Sequence, residues 1–208
     1  MYLTEQQLLR YRGTIQKAAG WIYDNLDSLM ALNDIQGFYK APYAWCALGD
    51  MKMAGIYRKH IAEKLLREDG DIRSEPDNKG FYTFPCTVAN QYIYTNGWTI
   101  TGLHRLGAYE MAQKALGFIL KFQDPTHGGF YNTFDAKTKT ICKELIDSSS
   151  TSSAGFACLA TGRMDEARRA GDFVLRLLEL QTEPDKYYFS CMKTDGALHT
   201  DVFGNEDA

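Results

Sequence analysis

Apolar and polar positions follow a helical period over much of the chain. Across 163–181, Ala167, Ala170, Val174, Leu177 and Leu178 recur at steps of three and four, which puts them on one face of an amphipathic helix. The same pattern predicts long helices over 5–27, 50–68 and 108–123, alternating with helices over 41–49, 90–106 and 147–161. Turn formers separate them. The stretch from Glu68 to Gly80 holds Asp, Gly, Pro and Asn, and Asp124-Pro125-Thr126-His127-Gly128-Gly129 is a helix stop.

The helices come in pairs. Ala47-Leu48-Gly49-Asp50-Met51-Lys52-Met53-Ala54, Arg105-Leu106-Gly107-Ala108-Tyr109-Glu110-Met111-Ala112 and Ala160-Thr161-Gly162-Arg163-Met164-Asp165-Glu166-Ala167 share one design. Each has a Gly, a Met or Tyr two residues later, and an Ala five residues later. A Gly just past a helix can take positive φ and close its C-terminus. The later Ala lets the returning helix pack closely, so each site predicts an αα-hairpin. A second block recurs in phase. Gln16-Lys17-Ala18-Ala19-Gly20-Trp21-Ile22 leads to Gly37-Phe38-Tyr39, and Gln113-Lys114-Ala115-Leu116-Gly117-Phe118-Ile119 leads to Gly129-Phe130-Tyr131. Gly80-Phe81-Tyr82 and Lys186-Tyr187-Tyr188-Phe189 hold the matching places, and these units are expected to be short extended pieces.

Composition narrows the function classes. With 208 residues, 45% of them hydrophobic, the chain can bury one ordinary core, and a single domain over 1–208 is expected. A net charge of −3 without basic clusters excludes an electrostatic footprint for nucleic acid or an anionic membrane. No window is apolar enough for a membrane span, and Met1 to Arg12 lacks a signal-peptide core. The five scattered cysteines, with no Cys-x-x-Cys pair, predict reduced thiols and a cytoplasmic setting. No spacing of His, Asp or Glu argues for a metal, and no cofactor is expected. Thirteen Tyr and three Trp are more than a plain helical core needs, and rings with polar tips suit the wall of a ligand cavity.

The hairpin repeat resembles the α/α-toroid superfamily: squalene-cyclase-like proteins, prenyltransferase β-subunits, six-hairpin glycosidases and N-acylglucosamine 2-epimerase-like isomerases. Phe118-Ile119-Leu120-Lys121-Phe122-Gln123 followed by Gly128-Gly129-Phe130 is similar to the squalene-cyclase repeat, with Phe130 where that repeat has Trp. The resemblance implies an all-α fold, helical-hairpin repeats forming part of an (α/α) toroid. It also implies a cavity lined by inner helices 41–49, 90–106 and 147–161. The pattern stops where a fourth inner helix is due, so a missing C-terminal half or a second chain is expected to complete the ring. The Asp-x-Asp-Asp motif of one cyclase class is absent from the sequence.

Candidate site residues lie at the inner-helix starts. Tyr43 and Trp45 come from the first, and Asn90, Tyr94, Asn96 and Trp98 from the second, as a substrate wall of rings and amides. Asn96-Gly97 in mid-helix is locally unfavourable and predicts a close approach by a helix or a ligand. Asp147 opens a run of six hydroxyl residues, Ser148 to Ser153, with Ser149 a further substrate contact. Asp147 and His199 are the acid–base candidates, whereas His60 is expected at the surface of an outer helix. Three functions stay open. One is an enzyme with a toroid cavity acting on a small organic substrate, of which a carbohydrate or uronide suits the amides and hydroxyls. The others are a terpenoid-cyclase-like or prenyl-substrate enzyme and a non-catalytic helical scaffold for a partner chain.

Overall fold

The computed structural model describes residues 3–32, 34–74, 90–182 and 188–200. Residues 1–33 and 34–208 form two compact units.

The first unit holds α1 (Glu5–Asp24) and α2 (Leu26–Leu32). Thr4 starts α1 with a capping box: its hydroxyl accepts from the Gln7 amide and the Gln7 side chain accepts from the Thr4 amide. The single helix expected over 5–27 breaks at Asn25, whose backbone and side-chain N–H groups both donate to the Trp21 carbonyl. No residue of α1 or α2 is buried, and Leu9, Ile15 and Trp21 are exposed.

The second unit begins with a 3₁₀ turn, Ile35–Gly37, and then runs through three αα-hairpins: α3 (Ala41–Leu48) with α4 (Met51–His60), α5 (Tyr94–Arg105) with α6 (Tyr109–Ile119), and α7 (Ser148–Ala160) with α8 (Met164–Glu179). The hairpin glycines do what their positions predict. Gly49, Gly107 and Gly162 have φ of 75°, 72° and 80°, the left-handed region that closes a helix. Ala54 and Ala112 are fully buried, and Ala167 is half-buried. Helices α3, α5 and α7 pack side by side, and α4, α6 and α8 each pack on their own partner. A π-type turn, Ile61–Leu65, follows α4, and a 3₁₀ turn, Leu120–Phe122, follows α6.

The all-α toroid expectation is corrected by a four-stranded antiparallel sheet. It consists of β1 (Phe130–Asp135), β2 (Thr140–Asp147), β3 (Cys191–Lys193) and β4 (Leu198–His199), in that spatial order. The hairpin α7–α8 is inserted between β2 and β3, so the unit is a mixed α/β domain and not a set of helical repeats alone. Phe, Tyr and Thr favour the β1 strand, and Lys139 at φ 57° turns the β1–β2 loop. Of the Gly-aromatic-aromatic units, Gly129-Phe130-Tyr131 enters a strand as expected. Gly37-Phe38-Tyr39 instead lies in the 3₁₀ turn and its exit. Gly80-Phe81-Tyr82, Tyr187 and the chain after Thr200 lie outside the described residues. His60 is also corrected: it is half-buried, stacked on Phe38 at 4.3 Å between ring centres, because the turn at 35–39 covers that side of α4.

Candidate functional site

The N-terminal halves of α5 and α7 line an open cleft of about 580 Å³. Tyr94 and Trp98 come from α5, Ser148, Ser149, Ser152, Ser153 and Phe156 from α7, Val174 from α8, and Tyr188 from the segment before β3. Helical spacing explains the membership. Tyr94 and Trp98, four residues apart, share a face, as do Ser149, Ser152, Ser153 and Phe156. Ser153 is committed to structure, donating to the Tyr94 carbonyl at 2.7 Å. The hydroxyls of Ser148, Ser149 and Ser152 have no hydrogen-bond partner among the described residues. The indole N–H of Trp98 is buried and also unpartnered.

Rings extend the wall beyond the cleft. Trp98 meets Phe156 at 6.0 Å, Tyr94 at 6.5 Å and Tyr43 edge-on at 5.8 Å. Tyr39 meets Tyr94 at 5.9 Å. The ammonium of Lys40 lies over three of these rings, 5.2 Å from the centre of Tyr39, 5.6 Å from Tyr94 and 5.2 Å from Trp98. Burial pulls the Lys40 pKa down, but the Tyr94 and Tyr39 hydroxyls outweigh it and hold the group above its ordinary value.

The structure therefore brings together Tyr94, Trp98 and Ser149, with Tyr43 behind Trp98. It places the other sequence candidates elsewhere. Trp45 is buried against Tyr57 of α4. Asn90 is buried and donates to the Thr133 hydroxyl at 2.9 Å. Asn96 is fully buried and donates to Asp71 at 3.2 Å. Asp147 caps α7, accepting from the Ser150 amide at 2.7 Å, and does not line the cleft. It is 2% exposed, its Oδ2 has no partner, and burial pushes its pKa up to about 7.

His199 sits on β4. Asp147 pairs with Cys191, and Cys191 with His199, so the three occupy one row across β2, β3 and β4. Paired residues in antiparallel strands point to the same face. The row is not a nucleophile centre, since burial and then the charge of Asp147 push the Cys191 thiol up to about 12. His199 borders a separate polar depression of about 420 Å³ with Lys143, Glu144, Lys193 and Asp195.

Two buried carboxylates escaped sequence reasoning. Asp71, fully buried, accepts from Arg73 at 2.7 Å and from the Tyr92 hydroxyl at 2.6 Å. Asp124 accepts from the Tyr131 hydroxyl and from the amides of Thr126 and His127, which makes it the anchor of the turn before β1. Both hold loops and neither lines the cleft. Lys40 was also missed; its only signal was a cation beside Phe38, Tyr39 and Tyr43.

Compared with family models, with curated proteins and with solved structures, the chain finds no match. Among the described residues, no group of three His, Cys, Asp or Glu side chains is placed to hold a metal ion, and no helix is long and apolar enough to cross a membrane.

Proposed function

We propose that the α5–α7 cleft binds a small polyhydroxylated molecule, a sugar or a sugar acid. One observation carries the reading: the Trp98 and Tyr94 rings line the same cleft as the unpartnered hydroxyls of Ser148, Ser149 and Ser152. An indole face takes up the C–H face of a sugar ring, and hydroxyls that both donate and accept match the ring's own hydroxyls. The cleft volume suits one or two sugar units. The hydroxyl row disfavours an isoprenoid, which would leave these groups desolvated without partners. The reading is one of binding. Asp147 and His199 stand outside the cleft, so no proton transfer is assigned to them. The four described cysteines are unpaired, which supports a reducing, cytoplasmic setting.

The test follows the Trp98 indole N–H signal by NMR while hexoses and hexuronates are added. Saturable shifts that disappear in Trp98→Ala and weaken in Ser149→Ala/Ser152→Ala support the reading. A signal that no saccharide moves overturns it.

A second reading, a scaffold that docks another chain, is favoured by a groove of about 620 Å³ between α7 and α8. It is lined by Gly155, Phe156, Leu159, Met164 and Leu175, with Phe156, Leu159, Met164 and Leu175 exposed. Exposed apolar surface of this kind favours association. Sedimentation velocity at rising concentration tests it: association abolished by Leu159→Lys supports the scaffold, and a monomer throughout counts against self-docking.

A further inference from the structure

The Lys40 ammonium stands over two of the cleft's wall rings, and the role inferred for it rests on the saccharide reading. None of the described residues lining the cleft is charged. The Lys40 ammonium lies within 5.2 to 5.6 Å of the centres of Tyr39, Tyr94 and Trp98, while Arg105 lies over Tyr43, behind Trp98, at 4.7 Å. Two of those rings, Tyr94 and Trp98, are themselves cleft walls. Lys40 forms no ion pair with any described carboxylate.

Three aromatic faces fix the position of an ammonium without neutralising it, because a ring quadrupole supplies attraction but no countercharge. The lysine stem is then held at the ring cluster, where the Tyr94 and Tyr39 hydroxyls engage the ammonium and leave one of its three N–H donors for a further acceptor. A ligand in contact with Trp98 would lie beside this exposed ammonium, because Tyr94 and Trp98 border both, and an ionised donor makes a stronger hydrogen bond to a carboxylate than a neutral one.

We infer that the cleft selects saccharides carrying a carboxylate, with Lys40 binding the carboxylate and Trp98 and the serines binding the ring. The cation is not a substitute for a cationic ligand: a free amine or quaternary ammonium would have to displace Lys40 from the rings it already occupies.

The test compares D-glucuronate, D-galacturonate and D-mannuronate with their parent hexoses, each read by the Trp98 indole signal and by calorimetry. At least one hexuronate should bind roughly tenfold or more tightly than its hexose, and the margin should shrink as salt is raised. Lys40→Gln should remove the margin, the hexuronate losing roughly tenfold more affinity than the hexose. Lys40→Arg should restore most of the margin, and circular dichroism and melting curves check that both variants fold. Equal binding of acid and neutral sugars, unaffected by Lys40→Gln, overturns the role of Lys40 and leaves the saccharide reading standing. A Trp98 signal moved by tetramethylammonium, and not by any hexuronate, also overturns it by making the rings a cation receptor. If no saccharide binds at all, both readings fall together.

Discussion

Gly97 of α5 lies so close to Ser153 of α7 that a β-carbon at position 97 would sit 2.3 Å from the serine Oγ and 2.5 Å from its carbonyl oxygen. The hydroxyl can rotate away, but the carbonyl cannot. On helix propensity alone, Gly97→Ala would gain about 1 kcal/mol. The clash with the neighbouring backbone wins, and the variant is expected to lose roughly 1–3 kcal/mol as the helices are forced apart. Gly117 of α6 is the control, since nothing lies within 4 Å of its β-carbon position. Gly117→Ala should be neutral or stabilising by roughly 0.5–1 kcal/mol. Urea unfolding of the two variants measures the contrast, and a stabilising Gly97→Ala would refute the close seam.

That seam answers a question the sequence raises without resolving. Asn96-Gly97 predicts a close approach, and the partner is helix α7. The hairpins were legible because their signals are local: a Gly at positive φ and an Ala five residues on act within one turn. The sheet was not legible, because β3 and β4 are only three and two residues long, β3 pairs with β2 across the whole α7–α8 insertion, and β4 pairs only with β3. The β1–β2 register also shifts between Tyr131 and Thr133, which erases a clean period of two.

Around the cleft, the helical angle separates the candidates that line it from those that turn away. Tyr94 and Trp98 are four apart and share the cleft, whereas Asn96 is two from each, roughly 200° around the helix, and turns to Asp71. Tyr43 and Trp45 divide in the same way, one toward Trp98 and the other toward Tyr57. Lys40 could not be found by any period, since its place is set by rings from two separate segments.

Asp147 should make the protein less stable as pH rises. Its pKa moves from the ordinary 3.8 to about 7 on burial, so between those values the folded state keeps a proton that the unfolded state has released. The contribution is fully present below about pH 4 and is lost as pH rises through about 7. Asp147→Asn keeps a capping oxygen for the Ser150 amide and removes the charge. Its stability relative to the parent should climb between those limits and level off above them, by an amount on the order of a few kcal/mol. Asp147→Ala, which also loses the cap, should forfeit about 1 kcal/mol of that gain. Urea midpoints measured across the range check this, and a difference that does not vary with pH would rule it out.

His60 should act in the opposite direction. Burial, and then the charge of Lys64, hold its pKa below the ordinary 6.5, with Glu63 pulling weakly the other way. The folded state therefore resists a proton that the unfolded state accepts. Stability is present above about pH 6.5 and declines as pH falls through that value toward the folded-state pKa. His60→Phe keeps a ring against Phe38 and removes the titration, so it should flatten the acid side of the profile. An unchanged acid limb in the variant would assign the loss to other groups.

Asp71 should be among the least replaceable polar residues in the described structure. Its carboxylate is fully buried, paired with Arg73 at 2.7 Å, and bonded to the Tyr92 hydroxyl and Asn96 amide. Among the described residues, Asp71→Asn leaves the 8%-exposed Arg73 with the more distant Asp69, at 3.5 Å, to balance it. Removing one member of a buried pair strands the other, at a cost of about 3–5 kcal/mol. Tyr92→Phe removes a single hydrogen bond from the same carboxylate and should cost about 1–2 kcal/mol, since Arg73 and Asn96 still satisfy it. The ratio of the two losses in urea unfolding is the informative quantity. Near-equal values would mean that the tyrosine hydroxyl, and not the Arg73 charge, dominates the cluster that holds the 66–74 loop against α5.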